Sequence, residues 1–121
     1  MRSLQIVFII FLLIACKRAE IVQTEELYGK WDIIKAERNG KETSYLRGGY
    51  FVISENGDIT VNITGEDQKD KFTLDRNKIK TENEDVYEIE HIQGDSLVIS
   101  YIAESNGHFV FYMAKNKGQA Q

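Results

Sequence analysis

Cys16 is the single thiol in 121 residues, and it follows an apolar run that closes on a small residue, Ala15. With no second cysteine, an intramolecular disulfide, a cysteine zinc cluster and a Cys-X-X-Cys redox pair are all excluded. The other reactive side chains form no set. His91 and His108 stand apart, without the partner spacing that a metal site or a general base requires. Ser96, Ser100 and Ser105 lack the glycine-framed turn that exposes a nucleophile. The acidic runs Glu66-Asp67…Asp70 and Glu82…Glu84-Asp85 lack the alternating oxygen ligands and central glycine of a calcium loop, and read as solvated turns. The sequence therefore predicts neither enzymatic activity nor a cofactor or metal.

The elements that position Cys16 are the first fifteen residues. Met1-Arg2-Ser3 is a short basic start, and Leu4 to Ile14 is apolar apart from Gln5, the pattern of an export signal. The run is too short for a membrane span, which needs about 20 apolar residues, and it ends at Cys16, followed by Lys17, Arg18 and Glu20. Leu13-Ile14-Ala15-Cys16 resembles the lipobox read by the lipoprotein signal peptidase. The resemblance implies that the Cys16 sulfur receives a diacylglyceryl group, that the chain is cut between Ala15 and Cys16, and that acylated Cys16 holds the protein to membrane lipid. Several acyl chains anchor stably where one would not. Lys17 after the cysteine, in place of aspartate, implies the outer membrane of a Gram-negative cell envelope.

Loss of residues 1–15 leaves 106, enough for one domain with one modest core. Arg2 leaves with the signal, so the net charge goes from −4 to −5. That balance excludes nucleic acid as a partner. Residues 16–24 read as the lipidated cysteine and a tether, whose eight residues 17–24 span about 16 Å on average and about 28 Å at full stretch. Thr24 is placed to N-cap a turn through Glu25, Glu26 and Leu27. From there to residue 115, period-two alternation is cut by Asn, Asp and Gly turn signals, with no helical period.

The alternation predicts eight strands. Trp31, Ile33 and Lys35 share a face of the first, which ends at Asn39-Gly40. Tyr50 to Ser54 form the second, and Asn56-Gly57 predicts a type I′ hairpin, whose central residues both need positive φ. Ile59, Val61 and Ile63 alternate in the third, Phe72 and Leu74 in the fourth, and Ile79 marks a short fifth. Val86–Ile92, Ser96–Ala103 and His108–Lys115 complete the set, and residues 116–121 read as a polar, frayed tail. Sequential antiparallel strands fit an all-β up-and-down barrel, with an open or two-layer sheet as the alternative.

Leu27-Tyr28-Gly29-Lys30-Trp31, where the chain enters the first strand, resembles the Gly-X-Trp signature of lipocalins. Together with the lipobox, it makes residues 25–115 similar to the small lipocalin-like lipoproteins of Gram-negative envelopes. The resemblance implies that Gly29 lets the segment pass close under the barrel and that Trp31 plugs its closed end. Lys115 takes the place of the arginine that lipocalins stack over the tryptophan. If a cavity exists, its lining is drawn from Ile33, Phe51 or Val52, Val61, Phe72, Ile89, Ile99 and Phe111, and its ligand is small and apolar. The other reading is a protein-interaction, inhibitor or immunity-type envelope module on a filled barrel. It is motivated by the turn-rich loops at Arg38–Gly49 and Gly65–Lys69.

Overall fold

A computed structural model describes residues 22–44, 48–103 and 107–118. The signal segment, the Ala15–Cys16 junction, most of the tether, Ser105 and the last three residues lie outside the described residues. A single helical turn, α1 (Thr24–Leu27), leads into nine strands: β1 (Gly29–Arg38), β2 (Lys41–Glu42), β3 (Tyr50–Ile53), β4 (Asp58–Asn62), β5 (Gln68–Asp75), β6 (Lys78–Thr81), β7 (Val86–Gln93), β8 (Ser96–Ile102) and β9 (His108–Lys115). Thr24 lies inside the turn; Gln23 holds the N-cap position and makes no side-chain cap bond. Glu25 and Glu26 instead place negative charge at the positive end of the helix dipole.

β1 and β3 to β9 pair antiparallel in chain order, and β9 pairs back onto β1 from Trp31↔Lys115 to Arg38↔Phe109. The sheet is thus a closed eight-stranded barrel, and closure removes the edges that an open sheet would expose. The ninth strand, β2, is a two-residue extension pairing Glu37↔Glu42 and Arg38↔Lys41. It forms because Asn39 (φ 52°) and Gly40 (φ 84°) both take positive φ, the type I′ requirement.

The sequence predicts that geometry at Asn56-Gly57, yet there only Gly57 has positive φ. The chain makes a four-residue turn instead, with the Gly57 N–H donating to Ser54 O (3.1 Å) and the Ser54 N–H to Asp58 O (2.9 Å). The Asn56 carboxamide oxygen accepts from the Asp58 N–H, so its side chain supports the turn without αL backbone.

Two bulges break the period-two alternation. In β1 the register against β9 slips between Ile33 and Lys35, leaving Ile34 as the additional residue, 59% exposed. Beyond it Ala36 faces the core, so Lys35 does not share the face of Trp31 and Ile33; it lies outside, over the Tyr112 ring. In β7 the slip falls between Ile89 and His91, leaving Glu90 as the additional residue. Its carboxylate accepts the hydroxyl of Ser100 at 2.6 Å, which satisfies that buried side chain. A bulge bends its strand and re-aims the side chains beyond it, as a small barrel wall demands.

The interior is filled by side chains. Trp31, Phe51, Phe111, Leu27, Ile53, Ile59, Ile79, Leu97 and Ile99 are completely enclosed, and Ile33, Ala36, Val61, Tyr87, Ile89 and Met113 pack around them. Phe72 and Leu74 share the inward face of β5 but are only half-buried. An eight-stranded barrel is just wide enough to be filled in this way. At the C-terminal end Asn116 is pinned rather than frayed. Its N–H donates to Lys30 O (2.8 Å) and its carboxamide to Asp32 (2.9 Å), carrying the β1–β9 seam one residue further.

The bulge can be tested directly. Ile33→Ala should cost about 2–5 kcal/mol, the range for emptying a core position, whereas Ile34→Ser should stay within about 0.5 kcal/mol, as an exposed substitution does. Urea denaturation of both variants measures the difference; equal losses would restore plain alternation through β1.

Candidate functional site

Antiparallel pairing in chain order sorts the strand ends into two rims. One rim carries α1, the start of β1 and the end of β9; the other carries the starts of β3, β5, β7 and β9 and the ends of β4, β6 and β8.

Trp31 lies near the first rim, beneath α1 and Lys115. Its ring is fully buried, its indole N–H donates to Leu27 O at 2.9 Å, and the Lys115 ammonium lies 4.9 Å from the ring centre. A cation over an indole face contributes about 0.5–1 kcal/mol where water still reaches it. Gly29 completes the set. Its φ is +130°, and a Cβ there would stand 3.2 Å from Lys115 Cε. Any L side chain at this position would be strained and would press on the lysine stem. The structure thus brings Gly29, Trp31 and Lys115 together at one place.

The opposite rim opens on a recess of about 200 Å³. Its floor is Ile59, Val61, Ile63, Tyr87 and Tyr101; its rim carries Asp70, Thr81, Asn83 and Asp85, with Gln68, Lys69 and Thr64 at the side. A ladder of aromatic rings runs into the wall from here. Phe109 stacks on Tyr101 (6.5 Å), Tyr101 on Tyr87 (4.8 Å), and Tyr87 meets Phe51 edge-on (5.4 Å). Edge and offset contacts of this kind hold the rings in fixed orientation.

Of the seven side chains that the sequence offers as ligand-lining, Val61 lines this recess. Ile33, Phe51, Ile99 and Phe111 are packed in the interior, and Phe72 is half-buried at its edge. Ile89 is also buried, and borders a shallow depression of about 110 Å³ with Val22, Asn77 and Ile92 at the lower part of β7. In the polar half of the recess, Asp70 and Asp85 read from the sequence as parts of solvated turns, whereas Asp70 lies half-buried within β5; Thr81 and Asn83 are not among the sequence candidates. Asp70 is legible there, because it sits in phase with Phe72 and Leu74 and so faces inward; Asp85, Asn83 and Thr81 reach the mouth only through the shape of one turn.

That turn is closed by the Thr81 N–H donating to Asp85 O and by the Asp85 N–H donating to the Thr81 hydroxyl, both at 3.0 Å, with Glu84 at φ 72°. It delivers the Asn83 N–H to an Asp70 carboxylate oxygen (3.0 Å), while the Lys71 N–H takes the other (2.8 Å). Burial pushes the Asp70 pKa up, but these backbone donors, with Thr81 and Glu82 behind them, outweigh it and hold the carboxyl below its ordinary range. Burial also drives the Tyr87 phenol well above its usual pKa, with the nearby Asp85, Tyr101 and Asp70 adding to the effect. On the outer side of the mouth, Asp67 accepts from the Tyr50 hydroxyl (2.6 Å) and the Asn62 carboxamide (2.9 Å), and both bonds lower its pKa.

His91 is exposed beside the Glu90 bulge; His108 starts β9, where its N–H donates to the Asn39 side chain. Among the described residues, no group of three or more His, Cys, Asp or Glu is placed to hold a metal ion, and no helix is long and apolar enough to cross a membrane. No family model matches the chain, and no curated protein matches it.

The acid groups of the mouth predict a pH dependence. A carboxyl whose folded pKa is depressed adds stability above its unfolded value, about 3.9 for aspartate, and loses it as pH falls through the folded value. Asp67 and Asp70 are both depressed, so the thermal midpoint should fall on acidification below about pH 4. Asp67→Asn should flatten that acid limb, since its hydrogen bonds then no longer depend on a proton. Melting curves across that range check this, and an unchanged limb would refute the assignment.

Proposed function

We propose that this chain is a membrane-anchored binding module of lipocalin-like construction, which holds one end of a small, largely apolar molecule at the open mouth of its barrel. The observation that carries this reading is the recess itself, an aromatic and aliphatic floor under a ring of polar groups in a barrel otherwise filled by side chains. Drug-sized ligands occupy pockets of about 300–1,000 Å³. At about 200 Å³ the recess takes a ring or a short chain, and the rest of the ligand stays outside.

The anchor fits this arrangement. Residues 16–23 lead directly into α1, on the rim near Trp31. A tether from acylated Cys16 would set that rim against the bilayer and turn the mouth away from it, towards molecules in solution rather than lipid.

A second reading, a protein-interaction module on a filled barrel, draws on the outer face of β7 and β8. There Val86 and Ile102 (43% and 71% exposed) border a groove of about 340 Å³ with Lys78, Glu88 and Ser100.

Two measurements test the main reading. Native mass spectrometry of the chain from residue 17 should show a bound aromatic or short-chain probe, and Val61→Trp, which fills the floor, should abolish it; persistence of binding in that variant would move the site elsewhere. Cys16→Ala should lose palmitate labelling and release the protein from the membrane fraction, and retention of both would sink the anchor.

A further inference from the structure

The recess is bordered by two carboxylates, Asp70 and Asp85, that form no ion pair among the described residues. Among the described residues the ion pairs are Lys35–Glu37, Lys71–Asp58, Lys80–Asp75 and Lys117–Asp95, none of which involves Asp70 or Asp85. Lys69, the one basic residue bordering the recess, is exposed on the alternate face of β5, where its charge acts on Asp67. The partners that Asp70 does have are neutral backbone N–H groups, which stabilise its charge without cancelling it. Asp85 takes the Tyr101 hydroxyl on Oδ1 at 3.1 Å, a neutral donor again.

A second observation points into the same space. Tyr87 is 5% exposed and borders the recess, and its hydroxyl makes no hydrogen bond among the described residues. No fully buried side-chain polar atom among those residues lacks a partner, so this hydroxyl opens on the recess. The charges of Asp85 and Asp70 act on this phenol, whose oxygen can still accept from a visiting donor. Like charges converging on low-dielectric walls concentrate a negative potential at one point, and a cation placed there relieves their repulsion.

We propose that the mouth selects a small organic ammonium ion, its N–H groups bonded to Asp70, Asp85 and the Tyr87 oxygen and its apolar body on Ile59, Val61 and Ile63. This rests on the reading of the mouth as the binding site, and names the class of ligand it takes. An ammonium suits the site because its three N–H donors match the Asp70 and Asp85 carboxylates, which only accept, and the Tyr87 hydroxyl oxygen, which can accept the third. A carboxylate or phosphate ligand would add charge of the same sign and is rejected. A neutral ligand of the same body would meet the floor but leave both carboxylates uncompensated.

Three probes with one apolar body and different heads separate the possibilities: 2-phenylethylammonium, 2-phenylethanol and 3-phenylpropionate, titrated into the full chain in mild detergent and followed by calorimetry and amide chemical shifts. The ammonium should bind at least tenfold more tightly than the alcohol, the carboxylate should bind least, and the shifts should centre on Asp70, Asp85 and Tyr87. Asp70→Asn and Asp85→Asn should each reduce the preference for ammonium over alcohol at least fivefold, with the dispersion of each variant's amide spectrum reporting that the barrel is still folded; an unreduced preference in both would overturn the proposal. Equal binding of ammonium and alcohol would overturn the charge selectivity and leave the mouth site standing. Binding of none of the three would overturn both. Calcium alone, added as chloride, should neither bind nor displace the ammonium, and saturable calcium binding at Asp70 and Asp85 without ammonium binding would also overturn the proposal.

Discussion

The pairing of β9 with β1 is the constraint on which the remaining structure rests. It joins residues about eighty positions apart in sequence, from Trp31↔Lys115 at one rim to Arg38↔Phe109 at the other. Such long-range closure carries a loop-entropy cost before it returns any contact. It is repaid because closing the sheet encloses the whole inner face at once, and because no edge is left to recruit another chain. The same seam explains the ends of the molecule. Lys115 covers Trp31 because it is the β9 residue opposite it, and Asn116 reaches Lys30 and Asp32 because the pairing runs one step further.

Closure also determines what the interior can do. Eight strands enclose little more than the volume of the side chains they carry inward. With Trp31, Phe51 and Phe111 as the large fillers and six Leu and Ile side chains fully enclosed between them, that volume is used. The free space therefore lies where strands end, at the mouth, where β4, β5, β6, β7 and β8 diverge into turns. Polar groups concentrate there for the same reason. The turn backbones need hydrogen-bond partners that a wall strand finds in its neighbours, and the carboxylate of Asp70 supplies one to the Asn83 N–H.

The fold was legible in the sequence because alternation is a direct imprint of a wall with one wet face. Ile59, Val61 and Ile63, or Phe72 and Leu74, can be assigned a face from spacing alone. The bulges were not legible. Ile34 is an apolar residue in an apolar strand, and nothing in its type says that it is the additional one; only the register against β9 reveals that Lys35 faces outward and Ala36 inward. The two-residue strand β2 was likewise below the length at which a period can be read. For the site, the plug of Gly29, Trp31 and Lys115 was visible through a resemblance of motif. The seven apolar candidates were assigned by face, and face says which way a side chain points without saying whether space lies beyond it. Asp70 shows the converse, being in phase with its apolar neighbours yet easily passed over because acidic residues in a hairpin strand usually lie in water.

The location of Asp70 bears on how the mouth keeps its character. Partial burial alone raises the pKa of a carboxyl group. Here the β5 strand and the 81–85 turn converge so that backbone N–H groups of Lys71 and Asn83 meet both of its oxygens. These donors cannot move away or titrate, as a lysine partner could. They hold a negative charge in place without neutralising its field, which a salt bridge would do. Asp58, by contrast, is paired with a cation, Lys71, across the same strand pair. The two aspartates thus differ in how their charge is supported, Asp58 by a lysine ammonium and Asp70 by backbone N–H groups.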